Sequence, residues 1–171
     1  MTQTAVLHWI KTNLGAVIQQ AILAFPGVIY SEDWLAAITM RETGILLYKY
    51  LPHEQEVTKI SPLMIGDSGH GYGFTQIDIR SFPDFINSGD WEIPLNQYQQ
   101  TIKILEDKRK YLEGKVPNTY DFDRVITASW NCGQGNELKA IEQGKDVDAY
   151  TFNRDYSKAV WEYRAIYKSL S

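Results

Sequence analysis

Three carboxylates are set apart by their surroundings. Glu42 follows Leu35 and Ile38 at intervals of three and four, a spacing that puts its carboxyl on the same helical stripe as apolar side chains. A solvated glutamate belongs on the opposite face. Facing an apolar interior costs the charged form its hydration and so favours the protonated one, which is what a general acid needs at neutral pH. The other two are Asp67 and Asp78, which bracket the stretch Gly66-Asp67-Ser68-Gly69-His70-Gly71-Tyr72-Gly73-Phe74-Thr75-Gln76-Ile77-Asp78. Glycines at 66, 69, 71 and 73 favour tight turns and close backbone approach, and the alternation after them is that of short strands.

A protonated acid on a helix opposite carboxylates on a turn is the layout of glycosidic cleavage. The acid protonates the leaving oxygen, and a carboxylate orients water or steadies the cationic sugar. Taken alone, each half has a plainer reading: a glutamate accepting a buried hydrogen bond, and an Asp/Gly loop that merely turns the chain. A calcium loop would need oxygen ligands at alternate positions and a terminal Glu, where this segment has His70, Tyr72 and Phe74. Cys132 between Asn131 and Gly133 suggests a thiol nucleophile, but no histidine is marked as its partner. His8, His53 and His70 lack metal-ligand spacing, so no metal site and no cofactor are expected.

Helices must carry these groups. The first is expected over about 4–25, with Val6, Ile10, Leu14, Val17, Ile18, Ala21 and Ile22 at helical spacing and Pro26-Gly27 as its stop. The second is expected from an N-cap at Ser31, with Glu32 and Asp33 in its positive first turn, to a C-terminus near Gly44. That end would place Glu42 at the negative pole of the dipole, again favouring its proton. The stretch 45–65 is expected as an added loop or lid. A third helix opens at Pro94 and closes at Gly114, a fourth holds Phe122 to Trp130 and breaks at Gly133, and a shorter one runs to Gly144. The last starts near Asn153, with Tyr156, Val160, Tyr163 and Tyr167 on one stripe. Lys103, Lys108, Arg109 and Lys110, mixed with Glu106 and Asp107, predict a solvated face.

At 171 residues the chain fits one domain, a length at which roughly 70% of the unfolded surface is buried on folding. Its apolar runs are too short to span a bilayer, and the N-terminus, interrupted by His8, Lys11 and Asn13, does not match a secretion signal. The net charge of −4 argues against a nucleic-acid partner, whose phosphates demand a basic face. Five Trp, eleven Tyr and six Phe offer flat rings suited to the C–H faces of sugars.

Glu42-Thr43-Gly44, the glycine-rich segment from Gly66 to Asp78, Ser129-Trp130-Asn131-Cys132-Gly133-Gln134-Gly135-Asn136 and Asp155-Tyr156 together resemble the goose-type lysozymes and their relatives, the soluble lytic transglycosylases. The match runs from Ser31 to the C-terminus and leaves 1–30 outside as an N-terminal helical extension. It implies a mainly α (α+β) lysozyme-like fold, a helical bundle with a small glycine-rich β-hairpin at the cleft, as a single catalytic domain over 1–171. It also implies that Glu42 is the acid, that Asp67 and Asp78 position water or stabilise charge, that Tyr72, Gln76, Trp130 and Asn131 contact sugar, and that Tyr156 orients Glu42. Thr75, Trp130 and Cys132 stand where the family has Met, Tyr and Ala, so the cleft floor is expected to be repacked. The implied activity is muramidase cleavage of β-1,4 bonds between N-acetylmuramic acid and N-acetylglucosamine, with inversion. Peptidoglycan strands are the expected partner, with neither nucleic acid nor membrane insertion, and with room for a cognate immunity or inhibitor protein. A chitin hydrolase, a lytic transglycosylase and a non-catalytic wall-binding module are the alternatives.

Overall fold

The computed structural model describes residues 1–170 and is mainly helical with one small sheet. Its helices are α1 (Gln3–Leu23), α2 (Glu32–Tyr50), α3 (Val57–Ile60), α4 (Pro83–Asn87), α5 (Pro94–Leu112), α6 (Phe122–Cys132), α7 (Gln134–Glu142) and α8 (Tyr156–Ser169). The strands β1 (Ile65–Gly66), β2 (Gly71–Tyr72) and β3 (Ile77–Asp78) form an antiparallel sheet in chain order, with Ile65 opposite Tyr72 and Gly71 opposite Asp78. This is the glycine-rich hairpin region expected from the sequence. Among the described residues no helix is long and apolar enough to cross a membrane.

The chain folds into two compact units. The first comprises Met1–Ile102 with the final turns of α8 from Tyr163; the second is Lys103–Glu162. In the first, α1 packs along α2. Val6, Ile10, Leu14, Ile18 and Ala21 of α1 are buried, as are Trp34, Leu35, Ile38 and Leu47 of α2. Apolar residues every three to four positions form a stripe that each helix must bury against a neighbour. The Thr2 hydroxyl caps α1 by accepting from the N–H of Ala5 at 3.2 Å. In the second unit Leu112, Val125, Ala128, Ile141 and Val147 form the core, with Tyr120, Phe122 and Leu138 packed against it. The Asp121 carboxylate caps α6, accepting from Asp123 and Arg124 N–H.

Several expectations need correction. Helix α2 does not end near Gly44; it continues to Tyr50, just before Pro52. Gly44 is a packing residue inside the helix, because a Cβ there would lie 3.1 Å from Met40 Cε. Leu47 and Leu51 are buried beyond it, and their burial outweighs the helix-stopping tendency of one glycine. The stretch 45–65 is therefore no open loop: it holds the end of α2, α3 and a 3₁₀ turn at Ser61–Leu63. The last helix starts at Tyr156 rather than Asn153, because Asn153 and Arg154 have left-handed φ values of 58° and 57°. Lys108 also leaves the solvated face, donating through Nζ to the Ser129 carbonyl at 2.9 Å and to Gln134 Oε1 at 3.2 Å. Burial pulls its ammonium below the ordinary lysine value.

Candidate functional site

The glycine-rich segment is held in shape by Gln76, itself in a left-handed conformation with φ 54°. Its Nε2 donates to the carbonyls of Gly73 at 2.8 Å and Met64 at 3.2 Å. Its Oε1 lies where Cβ atoms on Gly66 or Gly71 would come within 2.2 and 2.6 Å. A Cβ at either position would have to push this amide out of the space it fills between the strands. Both N–H groups of the Gln76 amide are thus spent on closing the hairpin.

A buried polar network ties this hairpin to the helices of the first unit. The N–H of Phe74 donates to Gln97 Oε1 at 2.6 Å, and Gln97 Nε2 donates to Ser61 Oγ at 3.0 Å and to the Trp91 carbonyl. The hydroxyls of Thr75 and Thr101 meet at 2.8 Å, as do those of Thr39 and Tyr98. Thr43 Oγ1 donates to the Phe74 carbonyl at 3.0 Å and to the Thr39 carbonyl at 2.9 Å. All four threonines and Gln97 are fully buried. A buried hydroxyl without a partner costs on the order of 1–3 kcal/mol, so a satisfied network of this kind specifies one arrangement. It accounts for Thr75 at a position where an apolar residue was expected: the threonine has a hydroxyl partner on α5. Burial drives the Tyr98 phenol far above its ordinary value, with the Thr39 bond acting weakly the other way.

Glu42 stands beside Thr43 on α2, half-buried and mid-helix. It therefore does not sit at the negative pole expected for it, because the macrodipole acts within the last turn, which lies at Leu47–Tyr50. Ile38 and Leu35, one and two turns before Glu42 on the same stripe, are both buried.

The two aspartates are brought together by a residue that carries no motif. Arg80 grips Asp78 through Nη2 to Oδ2 at 2.7 Å and Nε to Oδ1 at 3.0 Å, and its own N–H donates to Oδ1 at 2.8 Å. The same Nη2 lies 3.6 Å from Asp67 Oδ2. Asp67 reaches this position because it and Ser68 open the turn with left-handed φ values of 48° and 55°. The Arg80 guanidinium holds the Asp78 carboxyl below its usual range, with burial opposing it and His70 adding a smaller pull in the same direction. Sequence reasoning missed Arg80; the available signal was a basic residue two positions after the second aspartate, a distance that a tight turn closes.

Tyr72 is half-buried on β2 and meets Trp91 edge-on at 5.0 Å. The remaining expected residues belong to the second unit. Trp130 is half-buried on α6, and Asn131 is exposed with Oδ1 accepting from the N–H of Phe152 at 2.8 Å. Tyr156 is buried at the first turn of α8, its N–H donating to Thr151 Oγ1 at 3.3 Å. Cys132 is half-buried with its thiol directed at Glu137 Oε2, 3.6 Å away. Burial first, and the Glu137 carboxyl second, push that thiol up to about 12, which removes the thiolate a nucleophile requires. Among the described residues no group of His, Cys, Asp and Glu is arranged to hold a metal ion. No protein-family model matches the chain, and no curated protein matches it either.

Proposed function

We propose that the chain is a peptidoglycan-cleaving glycoside hydrolase of lysozyme-like fold, with Glu42 as general acid and the Asp67–Asp78 pair as the carboxylates that position water. The observation that carries this reading is the linkage of the two halves: the residue next to Glu42 bonds the Phe74 carbonyl, and Phe74 lies in the segment whose two aspartates share Arg80. A loop that merely turned the chain would have no need to draw two carboxylates together, since their repulsion has to be offset by a cation.

The chemistry follows from these groups. Glu42 donates a proton to the glycosidic oxygen as the bond to the anomeric carbon breaks. Asp78, kept ionised by Arg80, accepts a proton from a water on the opposite face of the sugar, with Asp67 beside it. Hydrolysis with inversion results. The pair of aspartates separates this reading from a lytic transglycosylase, in which the single glutamate acts as acid and then as base. Tyr72, with the backbone shaped by Gln76, is the proposed sugar contact beside the aspartates.

Glu42→Gln preserves shape and removes the transferable proton, so turnover on purified cell wall falls by at least ~10²-fold with the fold intact. More than a tenth of wild-type activity in the folded variant excludes Glu42 as the acid. Mass spectrometry of the products separates hydrolysis from formation of the 1,6-anhydro sugar, and a parallel assay on chitin decides the polymer.

A further inference from the structure

Between α7 and α8 the chain builds a second feature that takes no part in the proposed chemistry. Lys145, Asp146, Asp148, Ala149, Tyr150 and Arg154 surround a cavity of about 470 Å³, within the size range of small-molecule sites. Its floor is rigid. Asp148, almost fully buried, accepts from the N–H of Ser157 at 2.8 Å, from the Ser157 hydroxyl at 2.7 Å and from Arg124 Nη2 at 3.2 Å. Asp146 Oδ1 in turn accepts from the N–H of Asp148 at 2.9 Å and lies 3.8 Å from the same guanidinium. One Arg124 guanidinium thus serves both carboxylates of the lining.

The two cations of the lining stand outside these ion pairs. Among the described residues neither Lys145 nor Arg154 has a carboxylate within ion-pair distance. Lys145 Nζ donates instead to the Tyr150 hydroxyl at 3.0 Å, and that hydroxyl donates to Gln143 Oε1 at 2.8 Å. The hydrogen bond and charge of the Lys145 ammonium, with Lys139 farther off, hold the Tyr150 phenol below its ordinary value. Arg154 is brought to the rim by two successive left-handed residues, neither of them glycine. Such backbone is costly and persists only where the surroundings enforce it, which is the pattern of ligand clamps. Here the enforcement is visible: Asn131 holds the N–H of Phe152, and the Thr151 carbonyl accepts from the N–H of Arg154 at 3.0 Å.

We infer that this cavity binds the free C-terminal carboxylate of a short peptide, which Lys145 and Arg154 receive while Asp146 accepts the adjoining amide N–H. Two cations suit a carboxylate because charge-assisted bonds of this type are the strong ones. A dianion such as phosphate is repelled by the Asp146 carboxylate more strongly than a singly charged carboxylate is, and it brings no amide N–H for Asp146 to accept. Ala149 and the ring of Tyr150 offer apolar surface for a small side chain next to the carboxylate. The inference is independent of the role of Glu42, because every residue it uses lies in the second unit.

The test is a titration of the full chain with N-acetyl-alanyl-alanine, with its C-terminal amide and with inorganic phosphate, followed by ¹⁵N NMR. The peptide acid is expected to shift the amide resonances of residues 145–154 saturably, with the C-terminal amide and phosphate each at least about tenfold weaker. Arg154→Gln and Lys145→Gln are each expected to weaken the peptide acid by a similar factor while resonances elsewhere stay in place. Equal binding of acid and amide overturns the inference, as does tighter binding of phosphate than of peptide. Unchanged affinity in both variants overturns it as well.

Discussion

Glu137 is fully buried on α7, and its titration gives the sharpest test of the energetics in the second unit. Its Oε2 faces the Cys132 thiol, while Oε1 is buried with no partner among the described residues. Burial pushes its carboxyl from 4.5 up to about 8. The Cys132 bond and Arg124 oppose that shift, and the charges of Asp148 and Asp146 add to it. The sign follows directly. The unfolded chain releases this proton near 4.5 and the folded chain keeps it to about 8, so between those values the unfolded state binds fewer protons and stability falls as pH rises. The loss is complete above the folded value and absent below the unfolded one. At about 1.36 kcal/mol per pH unit, the contribution between about pH 5 and pH 7 is about 2.5 kcal/mol of lost stability. Glu137→Gln keeps the shape and removes the titration. Urea unfolding of both proteins at about pH 5 and about pH 7 isolates the effect as the difference of two differences, in which a constant cost of the new amide cancels. With a urea slope of about 2 kcal/mol per molar, the pH-dependent gain of the variant is a midpoint shift of roughly 1 M. A variant whose stability follows the wild-type pH slope would refute the reasoning and show that Glu137 is ionised in the folded protein at neutral pH.

Other predictions concern the hairpin and the thiol. Arg80→Gln removes the cation that lowers the Asp78 carboxyl, so the acidic limb of activity against cell wall moves to higher pH, while Arg80→Lys restores part of the shift; a limb that stays in place in Arg80→Gln dismisses the pairing. Gly73→Ala puts a Cβ 2.4 Å from Gln97 Oε1 at a φ of +79°, breaking the Phe74–Gln97–Ser61 bonds, and is expected to cost about 2–4 kcal/mol in thermal or urea unfolding; a loss below about 1 kcal/mol means the hairpin yields easily. Cys132, with its thiol at about 12, is expected to resist iodoacetamide near pH 8 in the folded protein and to react once urea exposes it; fast labelling without denaturant contradicts the buried thiol–carboxyl contact.

Much of the scaffold was legible in the sequence because its signals are local. The apolar spacing of α1, the proline opening α5, the glycines after α5, α6 and α7 and the turn glycines of the hairpin all act within a few residues. Glu42, Asp67 and Asp78 were legible as candidates for the same reason: the types and intervals of their neighbours set them apart. What the tertiary structure alone decided rests on pairs distant in sequence. Gly44 carries the sign of a helix end, yet burial of Leu47 and Leu51 continues α2 through it, a packing energy that no local propensity contains. Thr75 was expected only to repack the cleft floor, and its reason is a hydroxyl on Thr101. Glu137 has no mark in the chain, because a glutamate on an amphipathic helix is ordinary until the interior that desolvates it has formed. Arg80 was invisible as a partner of Asp67, because only the left-handed turn at Asp67 and Ser68 brings that carboxylate round to a guanidinium thirteen residues on. Residue type and spacing thus nominated the chemistry, whereas charge pairing and burial, which need the folded chain, determined the state in which those groups are held.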